Sequence, residues 1–150
     1  MPRFQADYQM GKESEILSLK DLNNFFNTEL KLDDNQYSHF DYYNDDFKIE
    51  LKTRPSIQYN NGDLWYNYTR NIDSLYFDSP KLKEYTKNKK NGDSRRYIIV
   101  WKLVNKYVYW EFNDNENEYY IQNQFRDCGK GYRQDRDVVN VKAEFIKCFS

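Results

Sequence analysis

Between Phe47 and Thr53 apolar and charged residues alternate, with Ile49 and Leu51 on one set of positions and Glu50 and Lys52 on the other. A pleated strand separates neighbours in this way, because successive side chains leave on opposite faces and those at i and i+2, about 7 Å apart, share one. The segment therefore demands a sheet that buries Ile49 and Leu51 and sets a carboxylate beside an ammonium on its other face. Arg54-Pro55 closes the strand, since proline removes a ladder donor. Residues 36–42 alternate well enough to form an antiparallel partner, with Asn44-Asp45 as a two-residue tip. That register pairs Tyr43 with Asp46, Tyr42 with Phe47 and Asp41 with Lys48. It puts Asp41 diagonal to Glu50, at roughly 7 to 8 Å between Cα atoms. Two carboxylates leaning together at that separation can hold one hard cation.

Upstream, Ile16, Leu19, Leu22 and Phe26 recur at spacings of three and four, which predicts a helix over 12–27 with Glu13 and Glu15 in its first turn. Ser79-Pro80 reads as a second helix start, with Ser79 as cap and the helix running toward Lys89. The run Tyr97–Leu103 is a buried central strand, and Asn105-Lys106 turns it into a second strand over 107–112. Between these lies a turn-rich stretch, 56–78, containing Asn60-Asn61-Gly62-Asp63 and the rings of Tyr59, Trp65, Tyr66 and Tyr68, which can stack on bases or pack inside. Toward the C-terminus, 119–121 reads as a short element, 129–131 as a flexible link, 132–137 as a charged loop and 138–141 as a last strand.

With 150 residues the chain is expected to form a single domain, and its helical and strand patterns make that domain mixed α/β, with a central mixed β-sheet flanked by helices as the expected architecture. Aromatic residues make up 19% of it, so its core relies on large rings whose polar tips reach the surface. A formal net charge of −1 conceals an asymmetry: residues 1–80 hold 8 Lys and Arg against 14 Asp and Glu, residues 81–150 hold 15 against 10. The basic half suits phosphates. Its candidate contacts are Arg95, Arg96, Lys130, Arg133 and Arg136, joined by Arg54 at the end of the acid-bearing strand. Cys128 and Cys148 show no metal-ligand spacing and read as reduced thiols. No stretch approaches the roughly 20 apolar residues of a membrane span, and the first residues lack the apolar core of a signal peptide. The expectation is an intracellular protein that is not secreted.

An acid on one strand followed by acid-x-Lys on the next resembles the PD-(D/E)xK nuclease superfamily. The matching residues are Asp41 and Glu50-Leu51-Lys52, with His39-Phe40 where a proline often precedes the first acid. Two other acid-x-Lys triplets, at Glu29 and Asp46, lack this context: the first ends a helical segment, and the second lies about 13 Å from Glu50 along the same strand. The superfamily also carries an acid on the preceding helix, a position that Glu15 fits within Gly11-Lys12-Glu13-Ser14-Glu15, with Glu13 as the fallback.

The resemblance implies a restriction-endonuclease-like core and a metal-dependent phosphodiesterase acting on nucleic acid, DNA rather than RNA. It implies Mg²⁺, with Mn²⁺ as a substitute, held by Asp41, Glu50 and the carbonyl of Leu51, with Lys52 and Glu15 completing the catalytic set. A domain of this size cutting both strands would act as a homodimer. The nearest resemblance is to small single-domain nucleases of large DNA viruses and phages, which would place it in a host cytoplasm or nucleus. An inactive nuclease-fold protein, serving as a nucleic-acid-binding or viral scaffold module, is the alternative that the same resemblance implies.

Overall fold

The computed structural model describes the backbone of residues 3–35, 38–129 and 132–149, and the side chains of residues 12–35, 38–124 and 136–149. Helix α1 spans Arg3–Phe26, two turns longer at its start than the apolar spacing predicts. Strands β1 (Lys31–Leu32), β2 (Tyr42–Tyr43) and β3 (Phe47–Arg54) follow, then β4 (Ile57–Asn60), β5 (Asp63–Tyr66), β6 (Arg70–Ile72) and β7 (Ser74–Asp78). Helix α2 (Ser79–Lys90) leads to β8 (Arg96–Leu103) and β9 (Tyr107–Glu111), and the chain ends in β10 (Tyr119–Gly129), β11 (Tyr132–Lys142) and β12 (Lys147–Cys148).

The main sheet has the order β1-β2-β3-β8-β9-β12. Its centre is the parallel pair β3 and β8, in register from Phe47 opposite Arg96 to Arg54 opposite Leu103, and every other pair in it is antiparallel. Parallel neighbours need a crossover, and here the connection runs from β4 through α2. Burial on both faces explains why β8 reads as a continuous apolar run: Tyr97 through Trp101 are all fully buried.

Each face of the sheet has its own core. Leu22 and the partly buried Leu19 and Phe26 of α1 pack on Phe47, Ile49, Leu51, Ile98 and Val100. On the opposite face Ile99, Trp101, Val108 and Trp110 meet Leu82 and Tyr85 of α2, together with Leu75 and Phe77 of β7 and Val139 and Val141 of β11. Those last four lie on one side of a second, three-stranded sheet, β10-β11-β7. Edge-on ring pairs such as Phe40 with Tyr97 and Tyr85 with Tyr97 fill the space under α2, as the aromatic composition leads one to expect.

Several elements differ from their sequence-based expectations, each for a physical reason. The strand expected over 36–42 is reduced to Tyr42–Tyr43 in the described residues, because Phe40 and Tyr42 join opposite cores. Side chains two apart on a regular strand would share a face. The stretch 56–78 is four strands rather than loop; its apolar content is spread across short segments, and Asn61 and Gly62 at φ 53° and 85° turn β4 into β5. The expected short element at 119–121, the loop at 132–137 and the strand at 138–141 belong to one long hairpin, β10 with β11. Its polar residues hid it from apolar alternation. Of the link expected at 129–131, Gly129 pairs with Tyr132 in this hairpin, and Lys130 and Gly131 lie outside the described residues. Asp78 rather than Ser79 occupies the cap position of α2, shifting Pro80 to the second helical residue.

A carboxylate and lysine site at the sheet edge

The hairpin that carries the acids is two residues out of the expected register. Tyr43 pairs with Lys48 and Tyr42 with Ile49, so the tip is Asp45-Asp46, and Asn44 fastens it by accepting from the amides of both Asp46 and Phe47 at 2.8 Å. The parity of the faces is unchanged by a shift of two. The shift does move Asp41 toward Glu50. The Asp41 amide donates to the Ile49 carbonyl, the residue that Tyr42 already opposes, so the chain bulges there and turns the Asp41 side chain along the edge of β3.

Beyond that bulge β2 no longer covers β3, and the exposed edge is capped by side chains. Asp41 Oδ2 accepts the Leu51 amide hydrogen at 2.8 Å, and Ser14 of α1 meets Thr53 at 3.0 Å between hydroxyl oxygens. In a strand the N–H and C=O of one residue leave on the same side, so the Leu51 carbonyl opens onto this edge as well.

Helix α1 brings in the third acid. Glu15 is the thirteenth residue of α1, far from the helix start where a carboxylate would serve the dipole, and it is 9% exposed in line with the buried Ser18 and Leu22. Ile16 and Leu17, by contrast, are 58% and 73% exposed. The Tyr42 hydroxyl locks this face by donating to the Glu15 backbone carbonyl at 2.5 Å.

Asp41 thus stands between two other acids, within hydrogen-bonding reach of Glu15 on one side and Glu50 on the other when a proton is shared. Burial, followed by the hydrogen bond and charge of Asp41, pushes Glu15 up to about 8 against the pull of Lys12. Burial and then the charge of Asp41 raise Glu50 well above the usual carboxylate range, with Lys81 and Lys52 opposing. Burial lowers Lys52 to about 8, Lys81 and Arg54 acting in the same direction and Glu50 and Asp78 against it.

Two ammonium groups face Glu50 Oε1: Lys52 Nζ at 4.0 Å and Lys81 Nζ, from the first turn of α2, at 3.7 Å. Lys81 is the residue that sequence reasoning missed. Its only local signal is an apolar helix face interrupted by a lysine between Pro80 and Leu82, and nothing in the sequence says that this face meets β3.

The donor set suits a hard cation. All three acids offer oxygen, the ligand that Mg²⁺ prefers. Glu15 Oε2 is buried with no hydrogen bond, although Lys12 Nζ lies 3.1 Å away while also donating to the Asp33 carbonyl at 2.8 Å. Among the described residues no three Asp, Glu, His or Cys side chains stand ready-arranged around a gap of cation size. Asp41 instead lies against both Glu15 and Glu50, and its charge opposes the ionisation of those two.

The expected phosphate contacts are dispersed. Arg95 is held bidentately by Asp93, with N–O distances of 2.8 to 3.1 Å, and Arg96 by Glu111 at 2.6 Å. Arg136 of β11 pairs with Asp78 at 3.2 Å, and Arg54 lies over the Tyr76 ring at 5.4 Å. Arg54 and Arg136 therefore flank the carboxylate site through Lys52 and Asp78, while Arg95 and Arg96 sit at the start of β8, level with Phe47 rather than Glu50. The side chain of Arg133 and the whole of Lys130 lie outside the described residues, as does the side chain of Cys128; Cys148 is a free thiol. No described helix is long and apolar enough to cross a membrane. Compared with known proteins, the chain matches no family model, no curated protein and no solved structure.

Proposed function

We propose that this chain is a metal-dependent nucleic-acid phosphodiesterase with a restriction-endonuclease-like core, acting on DNA in preference to RNA. The observation that carries the reading is the meeting of Asp41 with both Glu15 and Glu50 at one strand edge, beside the ammonium of Lys52. Helix α1 supplies Glu15 and a single hairpin supplies Asp41, Glu50 and Lys52, and the order of helix, strands, helix and further strands agrees with the one the resemblance implies.

Asp41, Glu50 and the Leu51 carbonyl would hold Mg²⁺ or Mn²⁺, with Glu15 as a further oxygen donor. When bound, the ion supplies Lewis-acid polarisation of the phosphate and a more acidic water. Lys52, lowered to about 8, keeps a sizeable neutral fraction near physiological pH and can take a proton from an attacking water beside Glu50. In its charged form it offsets the negative charge that grows on the phosphate in the transition state. Lys81 adds a second positive charge to the same carboxylate from the opposite element. Two-strand cutting by a domain of this size would take two copies, so a homodimer on duplex DNA accompanies this reading.

The test is incubation of plasmid, single-stranded and branched DNA, and of RNA, with Mg²⁺ or Mn²⁺, against Glu50→Gln and Lys52→Met. Cleavage by the parent that both variants lose supports the site; equal cleavage by all three removes it.

The ion pairs of Glu50 with two lysines favour a second reading, in which the buried network is structural and the chain is a nuclease-fold binding or scaffold module. Nucleic-acid binding that needs no divalent cation, with no cleavage of any substrate, would select it.

A further inference from the structure

On the outer face of the β10-β11-β7 sheet the central strand is buried, at Val138 and Asn140, while tyrosines of the flanking strands are exposed. Register places Tyr120 opposite Asn140 and Asn140 opposite Tyr76, so these three side chains form a row across the sheet, away from the core that Val139, Val141, Leu75 and Phe77 fill. The two tyrosines are 40% and 37% exposed, whereas the asparagine between them is 6% exposed. Its Nδ2 is buried and has no hydrogen-bond partner. A buried amide donor left unsatisfied costs about 1–3 kcal/mol, so its retention between two exposed rings calls for an acceptor that comes from outside.

Positive charge borders this row on the side of the carboxylate site. Arg54 lies over the Tyr76 ring, and Arg136, on the same face of β11 as Asn140, holds Asp78 while its own Nε is buried without a partner. Lys52 senses both Arg54 and Asp78, which joins the row to the site at Glu50. At the far end, Tyr120 and Lys142 help line a shallow depression that also includes Asn71 and Asp73.

We propose that Tyr76, Asn140 and Tyr120 form a platform for unpaired nucleotides, on which bases stack against the two rings, the Asn140 amide donates to a base edge, and Arg54 and Arg136 contact the backbone phosphates. This deepens the nuclease reading and rests on it for the link to chemistry: the platform would feed the carboxylate site a single strand, or the unpaired arm of a branched duplex. Stacking tolerates any base, because each offers a face to a ring, and the phosphates of DNA and RNA are alike. The class is therefore single-stranded nucleic acid, and separate DNA and RNA probes decide between the two sugars.

The experiment is fluorescence anisotropy with labelled 12-nucleotide DNA and RNA single strands, an abasic DNA strand and a duplex of equal length, all in EDTA so that cleavage plays no part. The parent should bind normal single strands at least about fivefold more tightly than the abasic strand. Tyr76→Leu and Tyr120→Leu should remove that preference, and Tyr76→Phe should restore it. Arg54→Ala should lower the slope of log affinity against log salt by about 0.7. Melting curves for each variant separate lost binding from lost folding. Equal affinity of the parent for abasic and normal strands, or a preference unchanged in both folded leucine variants, overturns the platform even if the protein cuts DNA. Stacking-dependent binding without any cleavage in Mg²⁺ upholds the platform and overturns the nuclease reading alone.

Discussion

Leu51 donates its amide hydrogen to Asp41 Oδ2 at 2.8 Å, so the carboxylate that meets Glu15 and Glu50 also closes the sheet edge where β2 ends. One side chain thereby joins the stability of β3 to the chemistry of the site, and the two can be separated by substitution.

Asp41→Asn should keep the bond to Leu51 through its amide oxygen and cost under about 1 kcal/mol. Asp41→Ala leaves the amide without that partner and should cost about 1–3 kcal/mol. Urea denaturation measures the difference, while both variants should lose cleavage, since neither retains the acid.

Without divalent cation, stability should pass through a minimum near pH 8. Glu15 rises from 4.5 unfolded to about 8 folded, so the native state binds the extra proton in that interval and stability falls as pH increases through it. Lys52 drops from 10.5 to about 8, so the unfolded state binds the extra proton above pH 8 and stability recovers toward 10.5. Thermal melts in EDTA from pH 5 to 10 test this, and Glu15→Gln should flatten the acidic limb. A curve that Glu15→Gln leaves unchanged would contradict the assignment.

Added Mg²⁺ should raise the melting temperature, and more at pH 8 than at pH 5, because the ion competes with protons for the same oxygens. A concentration a hundredfold above Kd contributes about 2.7 kcal/mol. Glu50→Gln should abolish the shift and also lower stability in EDTA, because it leaves the buried ammonium groups of Lys52 and Lys81 without their carboxylate partner. Differential scanning calorimetry with and without the ion provides the comparison.

Arg95→Ala should act on the fold and leave nucleic-acid affinity within about twofold, because Asp93 already engages its guanidinium. Asp93 is held far below the usual carboxylate range by that bond, so the stability lost in the variant should shrink progressively as pH falls below about 3.8 and be gone only once Asp93 is protonated in the folded state as well. Oligonucleotide binding beside acid titration of the melting temperature distinguishes this from a phosphate-contact role.

What was legible in the sequence was local. Strand β3 and the shared face of Glu50 and Lys52 follow from alternation, and β8 from an apolar run too short for a helix and too continuous for a half-exposed strand. The expected hairpin had the correct faces but a tip one residue too early, which displaces the pairing by two, because the Asn44 side chain fastens the turn from the position before it. Glu15 was legible only through a resemblance, which named its position but not why it points inward. The long hairpin of β10 and β11 was hidden because its residues are mainly polar, and with it the alignment of Tyr76, Asn140 and Tyr120.

By itself the sequence determined which residues share a strand face and which acids precede a lysine, since periodicity depends only on the backbone geometry of a few consecutive residues. Tertiary structure alone decided that Glu15 meets Asp41, that Lys81 faces Glu50, and that Arg54 lies over Tyr76. Those contacts arise where separate elements dock, and docking is governed by how two cores fill on either side of one sheet, a property of the whole chain that no short segment contains.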